Sequence, residues 1–127
     1  MTAIRLTTAS LLVALSAAAL AVTPLASAKD RRGVRVRGVC TQSSSAKLEL
    51  GPEDGRIEVE FEVDQNRNSV PWKVTLRRNG SVVTSATRRT HAPSGSFELR
   101  RVIAGATGTV TAVATRAGER CTARASI

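Results

Sequence analysis

Residues 71–90 read PWKVTLRRNGSVVTSATRRT, and their pattern decides the fold. Trp72, Val74 and Leu76 alternate with Lys73, Thr75 and Arg77, so a strand built from them has one apolar and one polar face. Asn79-Gly80 supplies the two positive-φ residues of a type I′ turn, and residues 81–84 return along a partner strand. The stretch is therefore a β-hairpin with a tryptophan on the side that must be covered. The rest of the chain has to supply the cover.

The N-terminus precedes the domain in character as well as in position. Arg5 is followed by an apolar and small-residue run over residues 6–22, then Pro24 and an Ala-Ser-Ala ending at Ala28. These are the parts of a secretory signal peptide, which places the leader at 1–28 and the mature start at Lys29. Thr7, Thr8, Ser10 and Ser16 dilute the run and Pro24 interrupts it, so a permanent membrane anchor is disfavoured and no transmembrane span is expected after cleavage. The remaining 99 residues suit one domain, at 29–127. Its basic residues number 18 against 10 acidic, a balance of +8 that draws it to anionic surfaces such as wall polymers, nucleic acid or acidic headgroups.

Phe61, Phe97 and Trp72 are the only rings in that domain, so its core depends on Val, Leu, Ile and Ala. Cys40 and Cys121 offer a staple, because export delivers the chain to an oxidising compartment. A metal pair or a redox motif would need closer cysteines or a second histidine. Closing a loop of this length stabilises by about 4 to 5 kcal/mol in the chain-entropy model.

The remaining strands follow by alternation. Val34 and Val36 against Arg35 and Arg37 predict a first edge strand over 34–41, whose arginines guard the edge against aggregation or, together with Arg31 and Arg32, form an arm for a polyanion. A short strand is expected over 47–50 and a turn over 51–55. Residues 56–64, RIEVEFEVD, set Ile57, Val59, Phe61 and Val63 inward and Glu58, Glu60 and Glu62 outward, where ion pairs with a neighbouring strand are the natural role. Further strands are read over 96–103, 109–115 and 120–127. Seven to eight strands without a helix make an all-β antiparallel sandwich.

This pattern resembles the immunoglobulin-like and fibronectin-type sandwiches, with Trp72 in the place where immunoglobulin domains bury a tryptophan on strand C. Cys40 and Cys121 lie on the first and last strands instead of the family's usual pair, and there is no tyrosine to form a tyrosine corner. The RIEVEFEVD strand, the W-x-V-x-L-x-x-N-G hairpin and the APSGSF turn together resemble small secreted actinobacterial proteins of uncharacterised function. That resemblance implies a fold and a location.

Function is argued from what chemistry the residues permit. Asp64 to Asn68 opens like a calcium loop but has Ser69 and Thr75 where glycine and glutamate belong, so no metal and no cofactor is expected. His91 has no partner for acid-base work in its vicinity, which disfavours a hydrolase. Three rings, all read as core, leave no stacking platform for single strands, and no sequence-specific nucleic acid is expected. The leading expectation is a secreted, non-catalytic binding or envelope-associated module for an extracellular protein or an anionic envelope polymer. The alternatives are a cationic protein that coats wall polymers without specificity, a hydrolase, and a protease inhibitor. Strand directions bring residues 64–69, 89–95 and 116–119 to one end, with Arg67, Arg88, Arg89, Arg116 and Arg120 as candidate ligand-binding residues. Arg77, Arg78, Arg100 and Arg101 are expected toward the other end.

Overall fold

The computed structural model describes residues 33–127, so the expected leader at 1–28, the start at Lys29, and Arg31 and Arg32 lie outside the described residues. Nine strands follow one another: β1 (Val34–Arg37), β2 (Val39–Cys40), β3 (Ser45–Glu53), β4 (Arg56–Asp64), β5 (Pro71–Arg78), β6 (Ser81–Arg89), β7 (Ser96–Ile103), β8 (Thr109–Arg116) and β9 (Glu119–Ser126). They form two antiparallel sheets, β1-β3-β4-β7 and β2-β9-β8-β5-β6, stacked as a sandwich. The arrangement is compatible with an immunoglobulin-like sandwich. Among the described residues, no helix is long and apolar enough to cross a membrane.

The strand count exceeds the expected seven to eight because the first strand is divided. Residues 34–37 pair with β3, Gly38 then crosses between sheets, and Val39 and Cys40 pair with β9 in the other sheet. The crossing has no room for a side chain. A Cβ at Gly38 would stand 2.9 Å from both the Ala46 Cβ and the Thr122 carbonyl oxygen. The expected turn at 51–55 shrinks to Asp54-Gly55, since β3 continues to Glu53. Pro52 is tolerated there because β1 begins at Val34, opposite Leu50, so among the described residues no strand pairs with Pro52 on that side of β3.

The hairpin forms as its sequence dictates. Asn79 and Gly80 have φ of 49° and 86°, and β5 and β6 pair from Pro71↔Arg89 to Arg78↔Ser81, with a bulge opposite Leu76 and Arg77. Trp72, Val74 and Leu76 are fully buried and meet Ile57, Val59, Phe61 and Val63 of β4 inside the sandwich. Phe97 joins Trp72 at 6.0 Å and Phe61 at 6.5 Å between ring centroids. The inner faces of β8 and β9 are mostly alanine, which offsets these bulky rings and lets the sheets close.

Cys40 and Cys121 form the disulfide. They are direct cross-strand partners on β2 and β9, with Cα atoms 4.0 Å apart, so the bond fastens two neighbouring strands of one sheet instead of joining the two sheets.

Candidate functional site

The three loops expected at one end do converge there, and a fourth segment, 41–45, joins them. The Gln65 amide donates to the Gly95 carbonyl and the Ser69 amide to the Thr90 carbonyl. Thr90 is buried, and its hydroxyl donates to the Arg67 carbonyl while accepting from the Val70 amide. Gly95 faces the backbone of Arg67 so closely that a Cβ would stand 2.2 Å from the Arg67 nitrogen, and its φ of +68° also suits glycine. The Trp72 indole donates to Gln65 Oε1 at 3.0 Å, fixing the loop to the core.

At the centre of this end, Glu119 is buried with its side chain fully enclosed. Its carboxylate accepts from the Gln42 amide, the Ser44 amide and the Ser44 hydroxyl, and pairs with Arg116 at 3.1 Å. Arg116 lies 5.5 Å from the centroid of the Trp72 ring, a cation-π stack. Burial pushes the Glu119 carboxyl up, but the Ser44 hydroxyl and amide together with Arg116 outweigh it, so the group titrates below the usual range. Glu119 and both cysteines form the one group of three possible metal ligands among the described residues, and the disulfide already consumes the thiols.

The five candidate arginines are thus not equivalent. Arg116 is engaged by Trp72 and Glu119. Arg88, half-buried, occupies an inward position opposite Trp72 and donates to the Thr87 carbonyl. Arg67 is exposed on one of the converging loops, and Arg89, exposed as the last residue of β6, donates to the Ser69 carbonyl. Arg120 is exposed on the outer face of β9 beside Thr115. Toward the other end, Arg78 reaches the Thr107 carbonyl at 2.6 Å. Arg100 sits on the outer face of the four-stranded sheet, bound to Glu60 at 2.8 Å and near Glu98 and Glu58 at 3.5 and 3.7 Å. That is the ion pairing expected of the β4 glutamates. Arg35 on edge strand β1 likewise pairs with Glu49. His91 is exposed, its ring nitrogen against the Ala92 carbonyl.

A division of charge runs through the whole sandwich. Apart from Glu119, every carboxylate among the described residues lies on β3, β4 or β7 or in the Asp54-Gly55 turn. The outer face of the five-stranded sheet has none. It carries Lys73, Arg77, Arg89, Arg120 and Arg124 among threonines and serines, and none of these five cations makes an ion pair among the described residues. Sequence reading found the loop end but not Glu119 or Thr90. The signal for Glu119 was its being the last acid in a C-terminal stretch otherwise rich in arginine.

Comparisons with known protein families, with curated proteins and with solved structures find no match for this chain.

Proposed function

We propose that this chain is a secreted, non-catalytic binding module that attaches to an anionic partner outside the cell or in its envelope. The division of charge carries this reading. A domain that keeps its acids other than Glu119 on one sheet and its turn, and leaves the other with five cations that make no ion pair among the described residues, concentrates its field where a partner can use it. The buried disulfide fits an oxidising compartment, and the interlocked loops give a rigid scaffold. Incubation with envelope material from the producing cell tests the reading. Retention is expected at low salt, with release at high salt and no dependence on His91. Hydrolysis of a peptide or polymer that disappears in His91→Ala would overturn it.

A further inference from the structure

We propose that the outer face of the five-stranded sheet binds a linear polyol-phosphate polymer, an assignment that rests on the binding-module reading and gives it a surface and a ligand. The register builds the site. Arg77, Thr111 and Arg124 lie side by side on β5, β8 and β9, and Lys73, Thr115 and Arg120 repeat the arrangement four residues along the same strands. Two strand spacings put the Cα atoms of the two cationic residues in each row about 10 Å apart with a threonine midway, and the rows about 14 Å apart along the strands, so long side chains can converge over each threonine. Thr75, Val113 and Thr122 floor the space between them.

Each row offers a cation, a hydroxyl and a second cation to one group. A phosphodiester can accept a guanidinium fork and a threonine hydroxyl at once, and because it is one link of a chain it brings the next charges along the strands to the second row. A polymer whose charges recur about every 7 Å when extended meets both rows with every second phosphate. Its hydroxyl-bearing links suit the threonine floor. The other occupants fit less well. Trp72, Phe61 and Phe97 are buried, so no ring is free to stack on bases. Val39 and Val82, both exposed on this side, stand on β2 and β6 at opposite edges of the sheet and form no apolar wedge for a bilayer. A second copy would have to offer its acidic sheet, where Arg35 already holds Glu49 and Arg100 holds Glu58, Glu60 and Glu98, leaving Glu53 and Glu62 outside those pairs.

The test measures binding of the oxidised protein to poly(glycerol phosphate) across a salt series. Two phosphates held, one per row, predict a slope of log K against log salt of about −1.4, hence roughly a sevenfold loss of affinity between about 50 and 200 mM salt. The variant Lys73→Gln/Arg77→Gln/Arg120→Gln/Arg124→Gln should lose at least about tenfold at the lower salt and most of that slope. A control of equal charge on the other sheet and its margins, Arg37→Gln/Lys47→Gln/Arg56→Gln/Arg101→Gln, should lose less than about threefold. Equal losses in the two variants would overturn the assignment. So would binding to polygalacturonate, to a thymidine oligonucleotide or to phosphatidylglycerol vesicles as tightly as to the polyol phosphate, or self-association that the face variant abolishes. If the wild type stays on envelope material and the face variant stays equally well, the surface is wrong while the binding-module reading stands. Failure of the wild type to attach at all removes both.

Discussion

Glu119 is a buried carboxylate whose partners all favour its charge, whereas Glu60 is a partly buried one for which burial and Glu98 outweigh Arg100. For Glu60, burial comes first, then Glu98 beside it, with Arg100 compensating in part, and the carboxyl titrates above the usual range. The two groups therefore act oppositely on stability. An unfolded glutamate titrates near about 4.3. The stability due to Glu119 is present above that value and is lost as pH falls through its lower folded value, while that due to Glu60 is present below it and is lost as pH rises through its higher folded value. Urea unfolding at a series of pH values should show Glu119→Gln losing less stability on acidification than the wild type, and Glu60→Gln losing more. At neutral pH, Glu119→Ala should cost about 3 kcal/mol, because it strands Arg116 and two amides. Gly95→Ala should cost about 2 kcal/mol or more, through both its positive φ and the backbone of Arg67, with thermal unfolding as the measurement. Arg116 is three residues from Glu119, but the other contacts are not local in sequence: Ser44 and Glu119 are 75 residues apart, and a glutamate in an Arg-Ala-Gly-Glu turn reads as a solvated one.

Elements were legible wherever the determinant was local. The hairpin of β5 and β6 was written in alternation and Asn-Gly, and β4 ends where RIEVEFEVD ends. The division into β1 and β2 was not, because the residue responsible, Gly38, matters through Ala46 and Thr122, which reach it only in the folded protein. The short β2 pairs with β9 at only two positions, one of them the disulfide. Its attachment thus depends on that bond, helped by the pairing of Thr41 with Arg120. Reduction should lower the unfolding free energy by about 4 to 5 kcal/mol if the entropy of the 81-residue separation dominates. Hydrogen exchange should then show β2 and the amides of residues 42 and 44 opening before the β5 and β6 hairpin. Simultaneous opening would mean that β2 is held by the core and the bond is incidental.

At the scale of the molecule, composition announced a basic domain but not where its charge would lie, since face assignment depends on which strands become neighbours. Once β5 lies beside the β8-β9 hairpin, residues from two distant segments form one array, and Arg120 belongs to that array while Arg116, four residues earlier, turns to the core. Such an array should cost the folded state something. Its cations stand about 10 to 14 Å apart, inside the Debye length at about 0.01 M salt and beyond it at about 0.15 M, where that length is about 8 Å. Raising salt over that range should therefore raise the melting temperature of the wild type. The variant neutral at Lys73, Arg77, Arg120 and Arg124 should start higher and gain less. Arg100→Gln should behave in the opposite way, starting lower at neutral pH because it leaves Glu58, Glu60 and Glu98 facing one another, and approaching the wild type as salt screens them. Were the face variant to start lower instead, these four cations would be supporting the fold, and the case for a surface held ready for an anionic partner would fail.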